Sequence, residues 1–242
     1  MRRLIGLSYS PWSLKARWAL DHHRVPYRWR EYLPMLGEPL LQARLRRRRV
    51  TVPVLIDEAG VHDDSFDIAR RAEAVGQGAP LFPDELADAI SRWNQISEDV
   101  CAAGRALTTA RVMDDPAALA ESVPVPRSLQ RPLRGVATAG ARFLTRKYDL
   151  RTVREDAALE TIGLALEAAR EALADGRAYL EGPLTYADLA LAVSLQFVRP
   201  VADTYVRLGP ASRRCWTRDA LAAAYPDVLA WRDQVFARHW DR

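Results

Sequence analysis

Residues 3–13 read RLIGLSYSPWS, and this stretch predicts where the first strand ends and the first helix begins. The apolar run from Arg3 to Ser8 is typical of a short strand. Pro11 fits the first position of a helix, where its missing N–H costs no hydrogen bond. Leu14 and Trp18 then recur at helical spacing, so the pattern predicts a strand followed by a helix that ends near residue 23.

The remainder of the first 80 residues continues to alternate between strand and helix signals. Tyr27–Arg30 and Thr51–Ile56 predict two more strands, the second interrupted by Pro53, and residues 57–60 predict a turn into a fourth strand. A short helix separates the second and third strands, and the capping pair Asp64–Ser65 begins another helix. The predicted order, β-α-β-α-β-β-α, indicates an α/β domain.

Breaker residues separate this α/β domain from a region without strand signals. Glycine and proline are concentrated over 76–83, as in a linker. We therefore predict an α/β domain over 1–78, a linker over 79–84 and an all-helical domain over 85–242.

Helical spacing is clearest at two places in the second domain, residues 90–100 and 159–173. A capping box at Thr185–Asp188 predicts the start of a third helix, and Pro226 the start of a late one. Between the helices predicted at 90–100 and 159–173, four prolines predict a long irregular segment over 106–152.

Composition limits the class of protein. Of 242 residues, 49% are hydrophobic and 27% are charged, the balance of a chain that buries a core. No run of 18 uncharged apolar residues occurs, so we expect no membrane-spanning helix. Cys101 and Cys215 are isolated and the four histidines have no ligand spacing, so we expect neither a disulfide nor a metal site. Two isolated thiols favour a reducing, cytoplasmic location.

The net charge of +4 is concentrated in the arginine run over 44–49. Such a run could bind phosphates of a nucleic acid, although a solvated loop or helix end is the simpler interpretation. A third interpretation is that one of these arginines faces a small anionic ligand.

Two serines lie where the first helix begins. The N–H groups and dipole of a helix N-terminus favour an anion, and the hydroxyl of Ser10 or Ser13 could donate a hydrogen bond to a bound thiolate. Plain N-capping explains the same serines, and spacing alone favours it.

Two further positions carry weaker signals. Pro53 at the start of a strand is ordinary, but a cis Val52–Pro53 bond would leave the backbone of Val52 able to pair with an extended ligand. Asp64 and Ser65 form an ordinary capping pair, and Asp64 could also accept a hydrogen bond from a ligand ammonium.

Together these motifs resemble those of the cytosolic glutathione transferase family. Ser10–Ser13 matches the Ser-Pro-aromatic-Ser motif of its tau-like, serine-type members, and Val52–Leu55 matches its cis-proline strand. Asp64–Ser65 matches its Glu-Ser pair, with Asp in place of Glu. Thr185–Asp188 resembles its buried capping box, and Tyr225–Trp231 its late helix. The resemblance implies a thioredoxin-like N-terminal domain and an all-helical C-terminal bundle.

The resemblance also implies glutathione as co-substrate and a small hydrophobic electrophile. Ser10, with Ser13 as the alternative, would stabilise the glutathione thiolate, which attacks an electrophile in a pocket that the helical domain contributes. The absence of cysteine near residues 10–13 disfavours cysteine-based chemistry. A homodimer is implied as well, without nucleic-acid or membrane partners. The alternative is a catalytically silent member that binds glutathione or a protein.

The implied glutathione contacts all lie in the first domain. Val52, before Pro53, would pair with the cysteinyl backbone, and Asp64 and Ser65 would hold the γ-glutamyl end. Arg49, or its neighbour Arg48, would meet the glycyl carboxylate.

Overall fold

The computed structural model of this chain describes residues 1–33, 37–45, 50–122, 134–147 and 152–240. It divides into two compact units. Unit 1 comprises Met1–Ser97, Ala172–Val193 and Trp231–Arg242, and unit 2 comprises Glu98–Glu171 and Ser194–Ala230. The boundaries predicted from the sequence at 79–84 stay a prediction.

Unit 1 contains a four-stranded mixed sheet. Its strands are β1 (Arg3–Gly6), β2 (Arg28–Glu31), β3 (Val54–Asp57) and β4 (Gly60–His62). They lie in the order β2-β1-β3-β4, with β2 parallel to β1 and the other two pairs antiparallel. Leu4 is paired with Trp29 on one side and Leu55 on the other, which fixes the register across the sheet.

Three helices accompany the sheet: α1 (Pro11–His22), α2 (Gly37–Leu45) and α3 (Ser65–Val75). Helices α1 and α3 pack against each other and bury their apolar residues, among them Leu14, Trp18 and Ile68. Near α2, a separate apolar cluster contains Tyr32, Leu41, Val50 and Val54. These elements follow the order that the sequence predicts.

Eight further helices follow in the described part of the chain. They are α4 (Ala87–Asp114), α5 (Pro116–Glu121), α6 (Arg134–Lys147), α7 (Glu155–Ala172), α8 (Tyr186–Ser194), α9 (Pro210–Trp216), α10 (Asp219–Ala224) and α11 (Pro226–His239). Short 3₁₀ turns occur at Asp84–Leu86 and Leu195–Phe197.

The capping box that begins α8 is partly as predicted. The Asp188 carboxylate accepts the backbone N–H of Thr185 at 2.8 Å and that of Leu180 at 2.8 Å. The Thr185 hydroxyl donates to the same carboxylate, instead of accepting the N–H of Asp188 as a capping side chain would. Tyr186, which follows Thr185, stacks on Phe82 and donates its N–H to the carbonyl of Leu81.

Unit 2 contains a buried arginine, Arg218. Arg218 is 3% exposed, and its guanidinium donates to the carbonyls of Cys215 and Thr217 at the end of α9 and to the Thr108 hydroxyl on α4. Burial, with the nearby charge of Arg111, lowers the pKa of Arg218 to about 10. One side chain therefore connects two helices of this unit.

The prediction of an irregular segment over 106–152 is wrong for most of its described residues. Helix α4 continues to Asp114, and α5 and α6 follow. Pro116 occupies the first turn of α5, and the Asp115 carboxylate accepts the N–H groups of Ala117 and Ala118. Proline at this position begins a helix because its missing N–H would be unpaired there.

The predicted fold class, a thioredoxin-like α/β domain with an all-α remainder, is confirmed. Among the described helices, none has the length and apolarity needed to cross a membrane.

Candidate functional site

The turn between β1 and α1 contains Ser10, which is 9% exposed. Ser10 is the N-cap residue of α1 but makes no side-chain capping bond. Its backbone is held within the turn, since its N–H donates to the carbonyl of Leu7 at 3.1 Å and its carbonyl accepts the N–H of Leu14 at 2.9 Å. Within the described part of the chain, the Ser10 hydroxyl has no hydrogen-bond partner. It is therefore available to donate to a ligand.

Ser13, the alternative candidate, is used inside the turn. Its side chain is fully buried, and its Oγ accepts the backbone N–H of Leu7 at 3.1 Å. It lies so close to Gly6 that a Cβ at that glycine would come within 2.5 Å of Ser13 Oγ. The absence of a side chain at Gly6 thus allows Ser13 to reach the backbone of the turn.

A carboxylate that the sequence analysis missed also contacts this turn. Glu31, at the end of β2, accepts the backbone N–H of Ser8 at 2.9 Å through Oε1 and the indole N–H of Trp29 at 2.9 Å through Oε2. Parallel pairing of β1 with β2 places Glu31 opposite Gly6, next to the turn. The alternation of Trp29 and Glu31 puts both on one face of β2, but that signal is informative only once the neighbouring strand is known.

Tyr9, between Ser8 and Ser10, is a second missed residue. Its burial, with the charge of Glu31 as a smaller contribution, raises the pKa of Tyr9 to about 12. The phenol stays neutral at physiological pH, so this residue does not supply a tyrosinate.

The Val52–Pro53 peptide bond is cis. The pairing of β1 with β3 extends only to Ile5 opposite Val54, so Val52 lies just beyond the ladder. Among the residues that the structure describes, no group bonds to the backbone N–H or C=O of Val52. Both groups are therefore available to an extended ligand.

The Asp64–Ser65 pair begins α3 as predicted. Asp64 is its N-cap residue, and Oδ1 of its carboxylate accepts the N–H groups of Phe66 at 2.7 Å and Asp67 at 3.3 Å. Ser65 is 1% exposed, and its hydroxyl has no hydrogen-bond partner in the described structure. A buried hydroxyl without a partner is uncommon, because such a group loses its hydration without replacement.

The strand topology places the Ser10 turn, Val52 and the Asp64–Ser65 pair at one edge of the sheet. The Ser10 turn follows the carboxyl end of β1, and Val52 precedes β3, which is antiparallel to β1. Strand β4 is antiparallel to β3, so its carboxyl end and the following Asp64–Ser65 pair lie at that same edge. Arg48 and Arg49, the predicted partners of a glycyl carboxylate, lie outside the described residues.

The family comparison agrees with the motifs of the first domain. Residues 9–75 match the model of the glutathione S-transferase N-terminal domain. No curated protein sequence matches this chain. The resemblance to cytosolic glutathione transferases is confirmed by this match and by the solved structures that share the fold.

Three solved structures illustrate that likeness, each with a TM-score of 0.60 and coverage of 98% of this chain. A glutathione S-transferase from Rhodospirillum rubrum F11 is 19% identical, with 89% of its own chain covered. One from Methylobacillus flagellatus KT, solved with glutathione bound, is 17% identical, with 95% covered. A glutathione transferase family member from Pseudomonas fluorescens Pf-5, with bound S-(propanoic acid)-glutathione, is 16% identical, with 95% covered. At these identities the likeness shows the fold.

Proposed function

We propose that this chain, which has the cytosolic glutathione S-transferase fold and a glutathione S-transferase N-terminal domain at residues 9–75, is a serine-type glutathione transferase. Glutathione is its co-substrate in this proposal, which is supported by two solved structures of the same fold, from Methylobacillus flagellatus and Pseudomonas fluorescens, that contain bound glutathione or S-(propanoic acid)-glutathione.

The observation that carries the proposal is the hydroxyl of Ser10. It lies at the N-terminus of α1 and has no hydrogen-bond partner among the described residues. A thiolate placed there would accept its hydrogen bond and meet the positive end of the helix dipole. Lowering a thiol pKa by two units requires about 2.7 kcal/mol. One charge-assisted hydrogen bond of about 1.5–3 kcal/mol, together with the helix terminus, is sufficient.

The glutathione backbone would occupy the same edge of the sheet. The unpaired N–H and C=O of Val52, next to Pro53, suit the cysteinyl residue, in the manner of an added strand. Asp64 uses Oδ1 to cap α3, and its Oδ2 makes no bond to a described residue, so it can accept from the γ-glutamyl ammonium. The unpartnered Ser65 hydroxyl can donate to the γ-glutamyl carboxylate. Arg49 is proposed for the glycyl carboxylate.

The proposed chemistry begins with loss of the thiol proton to solvent. The sulfur lone pair then forms a bond to an electrophilic carbon, and a leaving group departs with the electrons of the broken bond. Ser10 donates a hydrogen bond throughout and forms no covalent bond. The helical domain predicted over 85–242 would hold the small hydrophobic electrophile. A homodimer and a cytoplasmic location remain predictions.

Calorimetric titration with glutathione and with S-methylglutathione tests this proposal, since the methylated ligand has no ionisable thiol. We expect the wild type to bind glutathione more tightly at neutral pH, and Ser10→Ala to lose that preference while it still binds both ligands. Ser8→Ala is a matched control in the same turn, because the Ser8 side chain is exposed and only its backbone is bonded. Binding without any preference would indicate a silent glutathione-binding protein, and no binding would contradict the proposal.

A further inference from the structure

Glu31 has two acceptor oxygens, and each is used by one N–H group. Oε1 accepts the backbone N–H of Ser8 and Oε2 accepts the indole N–H of Trp29, both at 2.9 Å. We infer that Glu31 is a positioning residue that holds the β1–α1 turn so that the Ser10 hydroxyl meets the thiolate. This inference rests on the proposed function, in which Ser10 acts on the thiol.

Only a carboxylate suits these two donors. A glutamine of the same length offers one acceptor oxygen, and its amide NH₂ would face the second N–H. Glu31→Gln therefore leaves either Ser8 or Trp29 without an acceptor in the protein, and water takes that place at this exposed position. If the indole N–H is also removed, by Trp29→Phe, one acceptor is enough for the one remaining donor.

The turn depends on a small number of such bonds. The N–H of Leu7 donates to Ser13 Oγ, that of Ser8 to Glu31 and that of Ser10 to the Leu7 carbonyl. Of these acceptors, Glu31 alone comes from another strand. It therefore ties the turn to β2, while the Ser10 hydroxyl is left unused.

Trp29 is itself held in place beside Glu31. The Arg17 guanidinium lies over its ring, 4.8 Å from the centroid. The ring also approaches Gly6, where a Cβ would come within 2.8 Å of Trp29 Cη2. The indole N–H thus has little freedom to turn away, so in Glu31→Gln it competes with the N–H of Ser8 for the one acceptor oxygen.

Neutralising Glu31 should shift the pKa of a bound thiol in opposite directions, depending on whether Glu31 acts by holding the turn or through its charge. A negative charge near the turn disfavours a thiolate, just as the Glu31 charge contributes to the raised pKa of Tyr9. If Glu31 acts only through its charge, its neutralisation lowers the thiol pKa. If Glu31 acts by holding the turn, its neutralisation weakens the Ser10 hydrogen bond and raises the thiol pKa.

The first measurement needs no glutathione. Amide hydrogen exchange at Ser8 is compared in wild type, Glu31→Gln and the double variant Trp29→Phe/Glu31→Gln. We expect exchange to become about ten-fold faster in Glu31→Gln, the loss of roughly one hydrogen bond, and to return toward the wild-type rate in the double variant. Glu85→Gln is the matched control, because Glu85 is exposed and has no ion pair in the described structure. Unchanged Ser8 exchange in Glu31→Gln overturns the inference.

The second measurement is the pKa of the bound glutathione thiol, from thiolate absorbance across pH. We expect it to rise by about 0.5 to 1 in Glu31→Gln, to recover in the double variant and to stay unchanged in Glu85→Gln. A lowered or unchanged thiol pKa in Glu31→Gln overturns the positioning role. If the wild type itself leaves the thiol pKa at its free value, the proposed function fails and the positioning role with it. Ser8 exchange that still accelerates in Glu31→Gln would then show that the Glu31 contact holds the turn even though the proposed function fails.

Discussion

The buried carboxylate of Asp188 accepts the backbone N–H of Thr185 at 2.8 Å, and neither residue is exposed to solvent. Burial outweighs this bond and the one from Leu180, and raises the pKa of Asp188 to about 6 from its ordinary 3.8. The capping box that begins α8 is therefore sensitive to pH.

Asp188 makes the protein less stable as pH rises from about 4 to 6. Over that range the folded state keeps a proton that the unfolded chain releases, so the free energy of unfolding falls, by about 3 kcal/mol from this group. Asp188→Asn removes this titration, so the difference in unfolding free energy between wild type and variant should shrink or reverse across the window. Urea unfolding at several pH values measures it. Asp84→Asn, at an exposed position, is the control, and parallel pH curves for wild type and Asp188→Asn would contradict the assignment.

Ser13→Ala should destabilise the fold by about 1–3 kcal/mol, because the N–H of Leu7 then loses its acceptor in a partly buried turn. Ser8→Ala, at an exposed side chain of the same turn, should change stability by less than about 0.5 kcal/mol. Chemical denaturation of both variants tests this pair. Equal stability of the two would mean that Ser13 Oγ does not hold the turn.

Arg24 has a φ of 53°, in the left-handed region that favours glycine. It follows α1, where the N–H of Val25 bonds to the carbonyl of Leu20 at 2.8 Å, as in a Schellman C-cap. Arg24→Gly should stabilise the protein by about 0.5–1 kcal/mol. Arg24→Ala removes the same charge without relieving the backbone, so it should give no gain. An equal gain in stability in Arg24→Ala would mean that loss of the Arg24 charge, not relief of the backbone, causes the effect.

Two helical glycines of unit 2 should respond to alanine in opposite directions. A Cβ at Gly104 would overlap the ring of Phe197, which stacks on Trp216 with centroids 4.6 Å apart. Gly104→Ala should therefore cost about 1–3 kcal/mol. Gly163 in α7 has open space around it, so Gly163→Ala should gain about 0.5–1 kcal/mol from helix propensity. Thermal unfolding of both variants measures whether each substitution stabilises or destabilises the protein. If Gly104→Ala left the stability unchanged, the close packing of Gly104 against Phe197 would be contradicted.

Local chemistry was sufficient to predict the order of the first seven elements. Pro11 and Asp64 mark the starts of α1 and α3 through backbone rules that need no knowledge of neighbours. At Pro116 the sequence pattern predicts an irregular break, whereas in the structure this proline begins α5 after the capping residue Asp115. A proline in a sequence pattern can end one helix or begin another, and the capping residue before it decides which.

The candidate site could be predicted only where its residues lie in local motifs. Ser10, Val52 and Asp64 each stand at the junction of two elements, which a linear pattern reveals. Glu31 and Trp29 were not predictable, because their proposed role depends on the parallel pairing of β2 with β1, a contact between segments far apart in sequence. The different environments of Ser10 and Ser13 also depend on how closely Gly6 lets the chain approach.

The most direct test of the account is the thiol pKa of glutathione bound to wild type and to Ser10→Ala, followed by thiolate absorbance across pH. We expect a wild-type thiol pKa well below that of free glutathione and a value returned toward the free one in Ser10→Ala, with Ser8→Ala unchanged. A lowered pKa that persists in Ser10→Ala would contradict the assignment of Ser10 as the activating hydroxyl.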